Sequence, residues 1–219
     1  MSVVLTKTYP TLSSVDEREI LRYAGIKRAD EQTNALLSEC LEESLGVLSY
    51  KVCYAFFSVN YQGDEIDFGA FKCTSNGLKK TLNGAKKAVV FAATVGVALD
   101  RLIEKYSRIS PTKALLMQAI GTERIECLCD VFCADLEKEE GACITRRFSA
   151  GYGDLPLDTQ TKIFSVLDCP RKIGLFLNES LMMSPSKSVT AIVGFDGGRA
   201  RFLAEKCHTC TKKDCLYRE

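Results

Sequence analysis

The apolar positions along the chain repeat with two different periods, and each period predicts one kind of element. Apolar residues spaced three and four apart, several runs following a capping Asp or Ser, predict helices at 16–23, 30–46, 75–84, 97–109, 111–139, 157–168 and 199–206. We expect Pro170 to stop the 157–168 helix. Alternating or continuously apolar runs predict strands at 52–61, 65–73, 87–96, 142–148, 173–180 and 187–195. The first two strands are joined by Gln62-Gly63-Asp64, which predicts a hairpin.

The order of these elements indicates the fold class. Helices and strands are intermixed without the regular strand–helix–strand alternation that a parallel sheet requires. We therefore expect an α+β fold with a largely antiparallel sheet and flanking helices. The chain has no internal repeat and no low-complexity linker, so we expect one domain over residues 1–200 and a cysteine-rich tail over residues 201–219.

Charge and apolar run length exclude several classes of function. The chain has 29 Lys and Arg against 28 Asp and Glu, and no basic stripe, so nucleic acid is not an expected partner. No apolar run reaches the roughly 18 residues of a membrane span, and the N-terminus does not resemble a signal peptide. We expect a cytoplasmic protein. The single histidine, His208, lies in the tail, which excludes a catalytic triad with its histidine in the main body.

The helix that Pro111 opens carries a row of acids. It is predicted to be about 43 Å long and mostly apolar. Glu123, Glu126 and Asp130 fall within about 60° of one another on its surface. Two interpretations remain open. The row is either the solvated face of a core helix, or it faces a polar cleft in which a carboxylate binds a ligand's ammonium group or ribose hydroxyls.

The cysteines form two groups. The chain has 11, and five of them lie in apolar runs, where we expect small buried thiols in a reducing compartment: Cys53, Cys73, Cys127, Cys129 and Cys133. In the tail, Cys207, Cys210 and Cys215 form a C-x2-C-x4-C pattern that suits zinc or an iron–sulfur cluster. His208 and Cys169 are the candidate fourth ligands. The alternative is a chain terminus with reactive thiols and no metal.

The segment from 147 to 160 has the composition of a ligand-binding loop. Gly151 and Gly153 permit a sharp turn or a close approach of the backbone to a ligand. Arg147 presents a planar fork suited to a carboxylate, and Tyr152 presents a ring face and a hydroxyl. On these grounds alone, a loop with only a structural role is equally favoured.

Two separated motifs resemble one known family. Arg147–Tyr152 (RFSAGY) matches the R-x-x-x-G-Y signature of the activation domain of cobalamin-dependent methionine synthase. At a matching interval, 177–189 follows the family segment L-T-E-S-x-x-M-x-P-x-x-S-V, with Met183 and Pro185 in place. The runs ATVGVALDRLI and GTERIECLCD also look like those of stand-alone relatives. The resemblance covers residues 16–195 and leaves out the tail.

The resemblance implies a fold, a ligand and a partner. The family domain is a C-shaped α+β fold on a twisted antiparallel sheet. It binds S-adenosylmethionine in a shallow groove and presents its methyl group to cobalamin on a partner domain, where one electron and this methyl group restore methylcobalamin. The implied ligand-binding residues here are Arg147, Ala150, Gly151, Tyr152, Glu126, Asp130 and Glu179. The chain departs from the family in two places: its loop lacks the prolines of the family's R-P-A-P-G-Y-P, and the aromatic pair that follows S-V-S-G in the family is replaced by Ile192-Val193.

The implied roles differ among these residues. Arg147 would pair with the methionine carboxylate, and the backbone near Ala150 and Gly151 would approach the ligand. Tyr152 would line the cobalamin side, and Glu126 or Asp130 would bind the ligand's polar groups. Glu179 is a further acidic candidate.

Three functions follow as hypotheses, and whether the chain is itself an enzyme stays open. The first is a module that reactivates a partner methionine synthase or other corrinoid protein, with flavodoxin or ferredoxin as electron donor. The second is an iron–sulfur or zinc protein that donates electrons to, or regulates, a corrinoid protein without methyl transfer. The third is a binding or regulatory domain that keeps only the fold.

Overall fold

The computed structural model of the chain describes residues 2–12 and 15–196. Within them the helices are α1 (Glu17–Tyr23), α2 (Glu31–Leu45), α3 (Asn76–Leu82), α4 (Val97–Ile109), α5 (Pro111–Glu140), α6 (Thr159–Leu167) and α7 (Cys169–Ile173). The strands are β1 (Leu5–Tyr9), β2 (Tyr50–Ser58), β3 (Asn60–Gln62), β4 (Glu65–Asp67), β5 (Lys72–Thr74), β6 (Lys87–Thr94), β7 (Cys143–Ile144), β8 (Phe176–Leu177), β9 (Met183–Ser184) and β10 (Ser188–Asp196). None of these helices is long and apolar enough to cross a membrane.

A five-stranded antiparallel sheet organises the molecule. Its order is β1–β2–β6–β10–β7, with β6 in the centre. Two smaller antiparallel sheets, β3–β4–β5 and β8–β9, lie outside it. The predicted fold class, α+β with a largely antiparallel sheet and flanking helices, is confirmed.

Each face of the main sheet packs against its own hydrophobic core. Side chains alternate along β6, so that Phe91 enters one core and Ala92 the other. The Phe91 side packs against α1, α2, α4 and α5, and the Ala92 side packs against α3, α6, α7 and the β3–β4–β5 sheet. The sheet is therefore the middle of three layers, and every residue of β6 after Lys87 is buried.

Local side-chain hydrogen bonds explain three of the helix starts that the sequence predicts. Asp16 accepts hydrogen bonds from the backbone N–H groups of Arg18 and Glu19 at the start of α1. Asp30 does the same for Thr33 in α2 (2.8 Å), and Ser75 does so for Leu78 in α3 (2.9 Å). Pro111 occupies the first turn of α5, where no backbone N–H is needed.

Some local predictions are wrong. The turn at Gly63 forms a hairpin, but it joins β3 to β4, and the long β2 before it pairs in the main sheet with β1 and β6. Pro170 does not stop α6; α6 ends at Leu167, the capping residue Asp168 has a φ of 49°, and Pro170 lies in the first turn of α7. The predicted helix at 199–206 lies outside the described residues.

The predicted strand at 142–148 is shorter than expected for a specific reason. The N–H of Gly194 bonds to the side-chain oxygen of Thr145 at 2.9 Å instead of to a backbone carbonyl. The ladder is interrupted there, and it resumes only where Phe148 and Ile192 exchange two backbone hydrogen bonds of 3.0 and 2.8 Å. The two residues before this bridge, Arg146 and Arg147, lie at the sheet edge beside α5.

Most of the thiols in the described residues are buried. None of these eight cysteines forms a disulfide, and Cys40, Cys53, Cys73, Cys129 and Cys169 are buried. Burial raises the pKa of the Cys73 thiol to about 11, so it is protonated at neutral pH. Cys127 and Cys133 are only partly buried, in contrast to their prediction. Cys169 lies in the core with its Sγ 3.9 Å from that of Cys53, which argues against Cys169 as a ligand of a tail metal.

Candidate functional site

A cleft of about 720 Å³ lies between α1, α5 and the stretch from β7 to Arg147. One wall is α1, the floor is α5, and the second wall is the sheet edge at Ile144–Arg147. The acids of the α5 row all line this cleft: Glu123 is buried, whereas Glu126 and Asp130 are 44% and 71% exposed at its mouth. Its lining carries six carboxylates and three arginines: Asp16, Glu19, Glu123, Glu126, Asp130 and Glu137, with Arg22, Arg146 and Arg147. Such a cleft favours a ligand with net positive charge.

Arg147 is held at the centre of the cleft by two of these acids. Its Nη1 donates to Asp130 Oδ1 at 2.6 Å, and its Nη2 donates to Glu126 Oε2 at 2.7 Å. The side chain is three-quarters buried. Burial by itself would lower the pKa of Arg147, but the neighbouring thiol and carboxylate groups outweigh it and raise the pKa above its ordinary value. The guanidinium therefore stays charged and fixed in orientation.

Strand alternation explains why Arg147 faces α5. Phe148 pairs with β10 and packs into the core on the Ala92 side of the sheet. Its neighbour Arg147 therefore points to the opposite side, toward the α5 acids. The R-x-x-x-G-Y motif thus crosses the sheet edge: its arginine lies on the α5 side, and the rest of the motif continues on the other.

A buried ion pair fixes the first wall of the cleft. The guanidinium of Arg124 binds both carboxylate oxygens of Glu123, and these side chains are 2% and 8% exposed. Glu123 also accepts a hydrogen bond from the backbone N–H of Asp16 at 3.2 Å, just before α1 begins. The pair therefore joins α5 to the start of α1 and sets the width of the cleft.

Four other predicted site residues do not line the cleft. Ala150 packs against the core on the Ala92 side of the sheet. Gly151 has a φ of 82° and donates to the carbonyl of Leu155 at 2.9 Å. Tyr152 is 69% exposed, with its ring 5.6 Å from that of Phe148. Glu179 is exposed in the turn between β8 and β9. The structure brings together Arg147, Glu126 and Asp130, and it places these four elsewhere.

Asp154 explains the particular sequence of the connection that starts at Arg147. Its carboxylate accepts hydrogen bonds from the hydroxyl of Ser75 and from the backbone N–H groups of Asn76 (2.7 Å) and Gly77 (3.0 Å). These bonds tether the loop to the start of α3. Gly77 is required there because a Cβ at this position would come within 2.9 Å of the Phe148 ring. The connection is thus fixed at Arg147 by the acids of α5 and at Asp154 by the start of α3.

Replacing Asp154 with alanine is expected to release this loop without unfolding the sheet. The hydrogen bonds from Ser75 and from the backbone lower the pKa of Asp154 in the folded protein. The stabilisation from this tether is therefore fully present above the unfolded-state pKa of about 4, and it is lost as the pH falls through the lower folded-state pKa. Hydrogen–deuterium exchange of residues 149–157 should rise in Asp154→Ala at pH 7. Unchanged exchange in the loop would contradict the tether. Asp158→Ala, in the same loop, is the matched control.

Sequence reasoning missed the α1 wall. Asp16, Glu19, Arg22 and Tyr23 all line the cleft. Arg22 donates to both carboxylate oxygens of Glu19, and its guanidinium carbon lies 4.6 Å from the centre of the Tyr23 ring. The only signal in the sequence was the charge run of a short helix, which is also typical of a solvated surface.

The metal-ligand prediction at Cys207, Cys210 and Cys215 lies outside the described residues. Within the described residues, no group of His, Cys, Asp and Glu could hold a metal ion.

The chain matches no protein-family model and no curated protein. Among solved structures, it matches the crystal structure of the MetH reactivation domain bound to AdoHcy, with a TM-score of 0.65. The match covers 91% of this chain and 80% of that one, at 16% sequence identity. The two share a fold. At this identity the likeness concerns the fold alone, so the ligand of this chain has to be argued from its own cleft.

Proposed function

We propose that the chain binds S-adenosylmethionine in the cleft between α1, α5 and Arg147, and presents its methyl group to a corrinoid carried by a partner protein. The observation that carries this proposal is the Arg147 guanidinium, clamped by Glu126 and Asp130 inside an acidic cleft. The fold shared with the MetH reactivation domain, a domain that binds AdoHcy, supports it.

The donor set of the cleft fits this ligand. S-adenosylmethionine carries an ammonium group, a carboxylate and a sulfonium, and so has a net positive charge at neutral pH. Arg147 keeps N–H donors beyond the two used by Glu126 and Asp130, and it can pair with the carboxylate. The same two acids then accept from the ammonium group, while the surplus of carboxylates favours the sulfonium.

The work of this chain is binding and orientation. S-adenosylmethionine supplies the electrophilic methyl group, and the corrinoid of the partner receives it. A one-electron donor such as flavodoxin or ferredoxin would reduce the corrinoid. The partner is a methionine synthase or another corrinoid protein, and this chain acts on it in trans.

Calorimetric titration tests the binding half of the proposal. S-adenosylmethionine should bind more tightly than S-adenosylhomocysteine, which lacks the methyl group and the sulfonium charge. Higher ionic strength should weaken the first more than the second, because the cleft is only partly enclosed and its charges are screened. Equal affinities with equal salt dependence would contradict the electrostatic argument, and no binding of either would contradict the proposal.

Transfer of a labelled methyl group tests the second half. The label should pass from S-adenosylmethionine to a reduced corrinoid protein only when this chain is present. Transfer at the same rate without the chain would exclude the reactivation role, whatever the calorimetry gives.

If the loop that follows Arg147 takes part in binding, Gly151→Val should weaken binding while the far-UV circular dichroism stays unchanged. A Cβ at Gly151 would lie 3.0 Å from Leu157 Cδ1, and valine disfavours a φ of 82°. The strain therefore displaces the loop that follows Arg147. The control is Gly46→Ala at the end of α2, where φ is −67° and a Cβ would make only ordinary contacts of 3.7 and 4.0 Å. An unfolded Gly151→Val variant would make Gly151 a structural turn residue instead.

The tail cysteines stay a separate prediction. Three thiolates in a C-x2-C-x4-C pattern suit zinc or an iron–sulfur cluster, and a cluster could pass the electron that reactivation needs. We expect anaerobically purified full-length protein to contain iron or zinc, and the triple Cys→Ser variant at Cys207, Cys210 and Cys215 to lack it. Equal metal content in both would exclude a tail site.

A further inference from the structure

The cleft contains one aromatic side chain among the described residues that line it. Tyr23, at the end of α1, is half-buried there. Burial raises its pKa, and the nearby Glu126 carboxylate adds to the rise, so the hydroxyl stays neutral. Glu126 also binds Arg147, so Tyr23 and Arg147 both lie near the same carboxylate.

The positions that the family resemblance suggested for an aromatic contact cannot supply it in this chain. Ile192 and Val193 lie in the middle of β10 and are completely buried, one in each core. Neither lines the cleft, and a larger ring at either position would have to displace core side chains. An aromatic contact with a ligand therefore has to come from another element.

Tyr23 has a support that suits stacking. Arg22 lies against its ring at 4.6 Å, and Glu19 binds the Arg22 guanidinium through two hydrogen bonds. A ring with a fixed guanidinium against it is a rigid, flat platform, and bases stack on such aromatic and arginine surfaces in many nucleotide sites. The platform is one wall of the cleft, opposite the carboxylate-binding group at Arg147.

We propose that the Arg22–Tyr23 platform receives the purine base of the ligand, so that Tyr23 is the residue of this chain that selects an adenosyl compound. This inference rests on the proposed function for the amino-acid end of the ligand, but it makes a separate claim about the base end. A ligand with an adenine and no amino-acid group, 5′-methylthioadenosine, isolates that claim.

A fluorescence experiment tests the contact directly. The chain contains no tryptophan, so Tyr23→Trp in the full-length protein introduces a single indole in the cleft. Saturating 5′-methylthioadenosine should quench its emission, since a stacked purine lies on the ring. The control is Phe176→Trp, at a 54% exposed position on β8 outside the cleft, whose emission should not change. Calorimetric binding to Tyr23→Trp without any change in its emission would overturn the proposal.

Affinities provide the second test, with a pattern that a purely structural role would not produce. Tyr23→Leu should weaken 5′-methylthioadenosine about tenfold or more, and Tyr23→Phe should stay within about twofold of the parent because the ring is kept. Arg147→Ala should weaken the binding of S-adenosylmethionine and change the affinity for 5′-methylthioadenosine by less than about threefold.

Equal 5′-methylthioadenosine affinity in Tyr23→Leu and the parent, or no binding to the parent, would overturn the inference. Binding of 5′-methylthioadenosine that depends on Tyr23, with no added affinity for S-adenosylmethionine, would support the purine contact and contradict the proposed function.

Discussion

Arg147→Ala is expected to weaken S-adenosylmethionine binding at least about 30-fold, because the loss of a charge-assisted hydrogen-bond donor to the ligand's carboxylate costs roughly 2 kcal/mol or more. The guanidinium is three-quarters buried and already oriented by Glu126 and Asp130, so little of its binding energy is lost to ordering. Without it, the carboxylate of the ligand would face these two acids directly. Calorimetry at fixed ionic strength measures the effect.

Two further variants distinguish a specific fork from a general positive charge. Arg147→Lys keeps the charge but loses the planar pair of donors, and it should recover only part of the affinity. Arg146→Ala removes the adjacent, exposed arginine of the same cleft and should change the affinity by less than about threefold. If Arg146→Ala weakens binding as much as Arg147→Ala does, the cleft acts through its total charge and not through Arg147.

The elements that the sequence predicts well are those with a strong local cause. The helix starts at Asp16, Asp30 and Ser75 are set by side-chain caps within three residues, and β6 is predicted by its continuous apolar run. The edge strand β1 was not predicted, because its side chains are mostly exposed and its apolar alternation is weak. It is held by partners far along the chain: Lys7 and Tyr9 both bind Asp135 on α5, at 2.6 and 2.8 Å.

The candidate site shows the same division between local and distant causes. The acidic row on α5 could be predicted from helical spacing, and Arg147 from its motif. Their meeting could not, because it depends on which side of the sheet edge Arg147 faces, and the Phe148–Ile192 bridge decides that. Tyr23 is 100 or more residues from its cleft neighbours on α5, and a single sequence contains no signal for such a contact.

The cleft also depends on long-range packing through the buried Glu123–Arg124 pair. Adjacent residues on one helix form this pair, yet its consequence is tertiary, because Glu123 accepts the N–H of Asp16 beside α1. The Arg124 side chain also forms a hydrogen bond with the side chain of Tyr50 on β2. The Glu123–Arg124 pair therefore connects α5, the start of α1 and the main sheet.

Arg124→Leu is accordingly expected to lower the free energy of unfolding by about 3–5 kcal/mol, because it leaves the Glu123 carboxylate buried without its countercharge. The double variant Glu123→Leu/Arg124→Leu should recover part of this loss, since replacing both partners removes the uncompensated charge. The exposed pair Glu104–Arg108 on α4 is the matched control, and Arg108→Leu should cost less than about 1 kcal/mol. Denaturant unfolding of the three variants and the parent gives these values. A cost for Arg124→Leu no larger than that for Arg108→Leu would mean that groups other than Arg124 stabilise the Glu123 carboxylate, and that the α1 wall of the cleft does not depend on this pair.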